Sequence, residues 1–181
     1  MSSTPWCSWA DFTVASPRLA AAIRALLLQY GQGFGYLATV RRDGGPRVHP
    51  VSPLVAHDGL FCFVLASPKR ADLDRDGRYA LHAYPAEHSD DEAYLAGRVR
   101  PVTDLRKVSE VARTFRARWD LDWRLYELGI EVAMVTHRQR LKQSTQHRVW
   151  RLARGVAPGR PDGGGVGTVT APPGVAGPSL P

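Results

Sequence analysis

The 181-residue sequence has two cysteines, two methionines and no long hydrophobic run. Cys7 and Cys62 cannot build a disulfide framework, and neither has a partner at CxxC spacing, which argues against a zinc or redox site. Cys62 lies in the apolar run LFCFVL, where a thiol behaves as a small buried hydrophobe. Such usage fits a reducing compartment, so a cytoplasmic protein is expected. No apolar stretch approaches the roughly 20 residues needed to span a bilayer; Leu19 to Leu28 is broken by Arg24. The opening MSSTPWCSWADF has neither a basic n-region nor an apolar h-region, so no signal peptide is expected.

Several chemistries are missing too. No GxGxxG follows a strand, and there is no P-loop. His49, His57, His82, His88, His137 and His147 are scattered without HxH or HExxH spacing, so no metal site is expected. Ser67 has no nucleophile-elbow setting, which argues against a hydrolase. The basic stretch THRQRLKQSTQHR lacks the interleaved aromatics of a nucleic-acid platform, and none is expected to bind.

What is present suits one soluble domain with a substantial core: 44% hydrophobic and 23% charged residues. The formal net charge is +7, with arginine far ahead of lysine. A basic balance favours anionic partners such as phosphate or nucleotide. An arginine-rich codon bias produces the same balance, so charge alone decides nothing.

Residues 1–15 read as a mixed aromatic and polar lead-in. Ser16-Pro17 then predicts a helix start, by N-cap and first-turn chemistry. Leu19, Ile23, Leu26 and Leu27 give that helix an apolar stripe, and Gly31 and Gly33 end it. Strands follow at 34–40 and 47–56 around the turn Asp43-Gly44-Gly45, making a hairpin. A turn at His57-Asp58-Gly59 leads into a third strand at 60–65. Ser67-Pro68 starts a short helix to about Asp74, and strands are expected at 79–84 and 93–102. Asp104 caps a helix bearing Val108, Val111, Ala112 and Phe115 at helical spacing. The aromatic-rich segment 119–128 reads as helical, with closing strands at 130–136 and 149–152. From about Ala157 the composition turns to glycine, proline and small residues, which predicts a disordered tail over 155–181. The domain proper is thus placed at 16–154. Many short strands with few helices predict a mainly β, α+β architecture: a partly closed barrel with helices at its edge.

One unit concentrates candidate chemistry. Arg47 opens a strand, and the strand after the hairpin runs into Ala66-Ser67-Pro68-Lys69-Arg70 at a helix start. A helix N-terminus offers free N–H groups and a positive dipole end. Ser67 adds a hydroxyl, and Arg47, Lys69 and Arg70 add charge, which together make a monophosphate cradle. The same residues also fit a simple cap flanked by solvated basic side chains.

The stretch GYLATVRRDGGPRVHPVSPLVAHDGLFCFVLASPKRADLDRDGRYALHAY resembles the core of the pyridoxamine 5′-phosphate oxidase-like flavoproteins. Their pattern is a LATV-x-x-DG-x-P hairpin, then a strand ending in S-x-K-x-x-x-L, then V-x-L. The resemblance covers roughly residues 30–105 and implies an FMN-binding split barrel working as a homodimer, with the flavin between subunits. It implies that Arg47 reaches the FMN phosphate and that Val48, His49, Pro50 and Val51 lie along the isoalloxazine ring. It places Cys62 and Phe63 beside the flavin, and Ser67 and Lys69 at the phosphate. The arginine of the family's S-R-K is replaced by Pro68, and Arg70 is the substitute, though one helical residue turns a side chain by about 100°. Glu92 stands where a glutamine often approaches the flavin, and an acid there disfavours an anionic reduced ring. The aromatic residues Trp119, Trp123 and Tyr126 are candidates for either the subunit interface or the core.

The resemblance fades toward the C-terminus. HRQRLKQSTQHRVWRLARG lacks the R-L-H-D-R substrate motif of the oxidases proper. The implied function is therefore an FMN-dependent oxidoreductase acting on an unspecified small molecule, with reduced nicotinamide or the substrate as hydride source. A deazaflavin (F420) reductase of the same fold and a non-catalytic flavin-binding protein are the alternatives.

Overall fold

The computed structural model describes residues 6–56, 59–87, 89–139, 144–153 and, for the backbone alone, 167–170. Helix α1 (Trp9–Ala15) precedes α2 (Pro17–Leu27). Strands β1 (Gly35–Val40), β2 (Pro46–Val51), β3 (Leu54–Val55) and β4 (Leu60–Leu65) lead to α3 (Pro68–Arg75). Then come β5 (Arg78–Ala83), β6 (Glu92–Pro101), α4 (Leu105–Thr114), β7 (Trp123–Gln139), β8 (Ser144–Arg151) and β9 (Gly167–Thr170).

The strands form one antiparallel sheet in the order β2-β1-β5-β6-β7-β4-β3. It curls into a half-barrel flanked by helices, as expected of a split barrel. The long β7 has two neighbours on the edge away from β6. Its first part pairs with β4 (Phe61 opposite Glu127) and its later part with β8 (Ala133 opposite Trp150). At the register shift opposite Ala96 and Gly97, β7 carries one extra residue, Glu131. A Cβ on Gly97 would stand 2.1 Å from the Gly129 carbonyl oxygen, so only glycine permits this approach.

Where α1 stands, the sequence suggests a lead-in. Ser8 and Asp11 form a capping box, in which Asp11 N–H donates to Ser8 Oγ and Ser8 N–H to Asp11 Oδ2. Trp9 and Phe12 then enter the main core, with Phe12 at 5.0 Å from Trp150. That core is completed by Leu19, Ile23 and Leu27 of α2 and by Leu37, Leu60, Leu81, Leu95 and Leu128 of the sheet.

The helix expected at 119–128 is not formed. Residues from Trp123 belong to β7, because this segment is gripped on both edges and both faces. Leu125 faces a second cluster under α4, with Phe61 and Val111, while Tyr126 and Leu128 face the main core. A strand covered on both faces shows no alternation, so its apolar residues mimic a helix. Tyr126 is fully buried, which assigns it to the core. The predicted disordered tail falls largely outside the described residues. Gly167–Thr170, within it, pair with β8 as a strand. His57 and Asp58 also lie outside the described residues.

Candidate functional site

The β1–β2 hairpin closes through Arg41 N–H to Gly45 O at 2.8 Å, with Gly44 at φ +84°, a left-handed position that favours glycine. Its register sets which way the candidate residues face. Arg47 is opposite Thr39, His49 opposite Leu37 and Val51 opposite Gly35, so these three share the barrel side with buried residues. Val48 and Pro50 point to the outer face with Ala38 and Tyr36. The Val48–Val51 stretch is therefore divided between two faces.

Across from Arg47 stands α3, which packs against β4 and β1. Ser67 is its N-cap: Oγ accepts from Arg70 N–H at 3.4 Å and donates to Leu65 O at 2.9 Å. Pro68 occupies the first position and offers no N–H. Lys69, Asp72 and Leu73, spaced i, i+3, i+4, make one face of this helix. Leu73 joins the main core and Asp72 is buried. The Asp72 carboxylate accepts from Arg47 Nε at 2.7 Å and from Thr39 Oγ1 at 3.0 Å. Burial pushes its pKa up, but the hydrogen bonds from Arg47 and Thr39 and the charges of Arg47 and Arg75 outweigh it. The net result is a carboxyl below its ordinary range.

Lys69 makes no hydrogen bond or ion pair with any described residue. Its charge is felt at Cys62, whose thiol is nonetheless pushed up to about 11 by burial. Arg70 has turned away, as the helical step suggests. It forms a two-pronged pair with Asp122, at 2.8 and 3.0 Å, and is thereby held at β7 rather than beside Lys69. Next to that pair, Arg124 and the Tyr126 hydroxyl both donate to Asp74.

Three other candidates are dispersed. Cys62 faces the main core while Phe63 faces the cluster under α4 and packs on Trp123 at 4.6 Å. The two therefore do not share a surface. Glu92 sits at the start of β6, paired with Arg138 at 3.1 Å. The register places Arg47 on a row with Thr39, Tyr79 and Gly97, so Glu92 is five residues along β6 from that row. At about 3.3 Å per residue this is the far end of the sheet. Trp119 is exposed and packs on Trp123 at 5.2 Å.

Two features were missed by sequence reasoning. Asp72 is one, since Asp72, Asp74 and Asp76 read alike in the sequence. The other is the outer face of β2-β1-β5, where Val48 is 57%, Tyr84 44% and Tyr36 37% exposed. Tyr36 and Tyr84 stack at 5.6 Å, and Tyr30 and Phe34 pack beside them. The alternation in GYLATV already sent Tyr36 outward. Among the described residues no group of three or more histidines, cysteines or acids could hold a metal ion, and no helix is long and apolar enough to cross a membrane.

No family model and no curated protein matches the sequence. Solved structures do match. PhzG from Burkholderia lata 383, in complex with tetrahydrophenazine-1-carboxylic acid, aligns over 88% of this chain and 92% of its own, at 12% identity and a TM-score of 0.57. A candidate pyridoxamine 5′-phosphate oxidase from Listeria innocua aligns over 61% and 92%, at 15% identity and a TM-score of 0.52. The chain shares the split-barrel fold of these structures. HutZ, the heme storage protein from Vibrio cholerae, shares this split barrel over 63% of the present chain and 91% of its own, at 18% identity and a TM-score of 0.52. The chain spans only 53% of a heme binding protein from Mycobacterium smegmatis. Split-barrel neighbours thus have diverse roles, and the fold alone does not choose among them.

Proposed function

We propose that this protein is an FMN-binding oxidoreductase, working as a homodimer on a small molecule or a reduced nicotinamide. The observation that carries the reading is the ion pair that ties Arg47 of β2 to Asp72 of α3, one turn along the helix from Lys69. Arg47 engages only its Nε, and Lys69 is unpaired among the described residues. Two cations beside a helix N-terminus fit a terminal monophosphate. Arg70, Cys62 and Glu92 have other partners or surroundings and do not enter this cradle. The flavin would supply the redox chemistry, while these residues bind and orient it.

The homodimer is supported by the outer face of β2-β1-β5. Val48, Tyr36 and Tyr84 are exposed there beside the small residues Ala38 and Ala80. An exposed face of aromatic and small side chains suits a second copy of itself.

The test is the visible absorption spectrum and thermal midpoint of the purified protein with FMN, riboflavin or F420. Flavin bands with an FMN-specific rise in midpoint, both lost in Arg47→Ala/Lys69→Ala, support the reading. Stabilisation by F420 alone assigns the deazaflavin alternative, and bound FMN that no nicotinamide reduces assigns a non-catalytic flavin carrier.

A further inference from the structure

Arg47 is held at one nitrogen and free at two. Its Nε donates to Asp72 Oδ2 at 2.7 Å, while neither terminal nitrogen bonds any described residue. Asp72 is fixed in turn. The Thr39 hydroxyl donates to the same oxygen at 3.0 Å, and Arg75 Nη2 lies 3.7 Å from the other. Thr39 is also the cross-strand partner of Arg47. One carboxylate, its side chain 8% exposed, thus ties the hairpin that carries Arg47 to the helix that carries Lys69.

We infer that Asp72 is a positioning residue, holding Arg47 by Nε so that its terminal nitrogens face a phosphate at the start of α3. The inference rests on the flavin-phosphate reading above and adds a residue to it. An arginine side chain has much rotamer freedom to lose, and a fork already fixed at Nε loses less of it when an anion arrives. Engagement through Nε alone also leaves the two terminal nitrogens for a charge-assisted contact.

The arrangement has a second consequence. Asp72 offsets the charge of Arg47, so the net positive charge of the cradle resides at Lys69. Orientation and charge offset therefore predict opposite results when Asp72 is neutralised. Removing a negative charge near a dianion tightens binding if charge offset dominates. It loosens binding if orientation dominates.

The experiment measures dissociation constants for FMN and for riboflavin, which lacks the phosphate, by flavin fluorescence in the wild type, Asp72→Asn, Thr39→Val, Arg47→Ala and the Asp72→Asn/Arg47→Ala pair. Circular dichroism confirms that each variant is folded. The expected result for Asp72→Asn is an FMN constant raised about tenfold, the scale of one charged hydrogen bond, with the riboflavin constant unchanged. Thr39→Val, which leaves the carboxylate charged but unclamped, raises the FMN constant a few-fold. In the Arg47→Ala background the effect of Asp72→Asn disappears, because the residue acts through the arginine. Tighter FMN binding in Asp72→Asn, or equal loss of both flavins in a folded variant, overturns the inference. Should Asp72→Asn fail to fold, an unchanged FMN constant in Thr39→Val overturns it instead. An Arg47→Ala variant that binds FMN and riboflavin in the wild-type ratio shows that the underlying phosphate reading has failed, and a wild type that binds neither flavin shows the same.

Discussion

The two ends of the sheet are built differently. At the β4–β7 end every strand is covered twice, by the main core on one face and by α4 on the other, with Phe61, Val111 and Leu125 between. At the β2-β1-β5 end only the barrel face is buried. The outer face shows Val48, Tyr36 and Tyr84 to its surroundings. The first end buries Phe61 and Leu125 within its own chain and leaves Leu65, Leu105 and Trp119 exposed only at its rim. The second has apolar surface left over, and it adjoins the strand that bears Arg47. One end is packed on both faces, and the other leaves its outer face open.

The sharpest way to break this contrast is truncation of a large side chain at each end. Phe61→Ala, beneath α4, is expected to cost about 3–5 kcal/mol in denaturant unfolding, since it opens a cavity in a packed cluster. Tyr36→Ala on the outer face should cost under about 1 kcal/mol in dilute protein. Equal losses would show that the outer face is as fully covered as the inner one. Next in size is a charge placed on that face. If the proposed dimer forms through this face, Val48→Arg should shift sedimentation from a two-chain to a one-chain species. An unpaired charge in the interface costs about 3 kcal/mol, roughly a hundredfold in dissociation constant. An unchanged species would place the subunit contact elsewhere.

The smallest effect concerns pH. The hydrogen bond and charge of Arg78 hold the Asp76 carboxyl down at about 2. A depressed folded-state value means that its contribution is complete above about pH 4 and is lost as the pH falls through about 2. Asp76→Asn should therefore flatten the acid limb of the stability curve between pH 4 and 2, by under about 1 kcal/mol. Arg78 is 56% exposed, and solvent screens the pair. A flattening outside that window would assign the acid sensitivity to another carboxylate.

Legibility in the sequence followed the range of the interactions involved. The hairpin turn at Gly44, the Ser67-Pro68 helix start and the Asp104 cap are set by neighbours within four residues, and all three are where the sequence suggests. The capping box of α1 is equally local, but seven residues with only Trp9 and Phe12 buried leave too short a stripe to stand out. The strand at Trp123 was misread because its partners, Phe61 to Leu65 and Val99 to Pro101, are distant in sequence. In the candidate site, Arg47, Ser67 and Lys69 were legible from their order around the hairpin. Asp72 was not. In PKRADLDRDGR three aspartates alternate with basic residues, and only the placement of β1 against the helix shows which one turns inward.

The long β7 also bears on how the molecule assembles. β6 follows β5, and β8 follows β7, through short connections. The seam of β4 with β7 joins Phe61 to Glu127, and α3, β5, β6 and α4 all lie inside the loop it closes. Closing a long loop costs entropy before any contact repays it, so this seam is expected to zip late in folding. On the same edge, the half of β7 that meets β8 needs no such closure, because β8 follows it directly in the chain. That edge of β7 would then be covered in two stages, by β8 before β4.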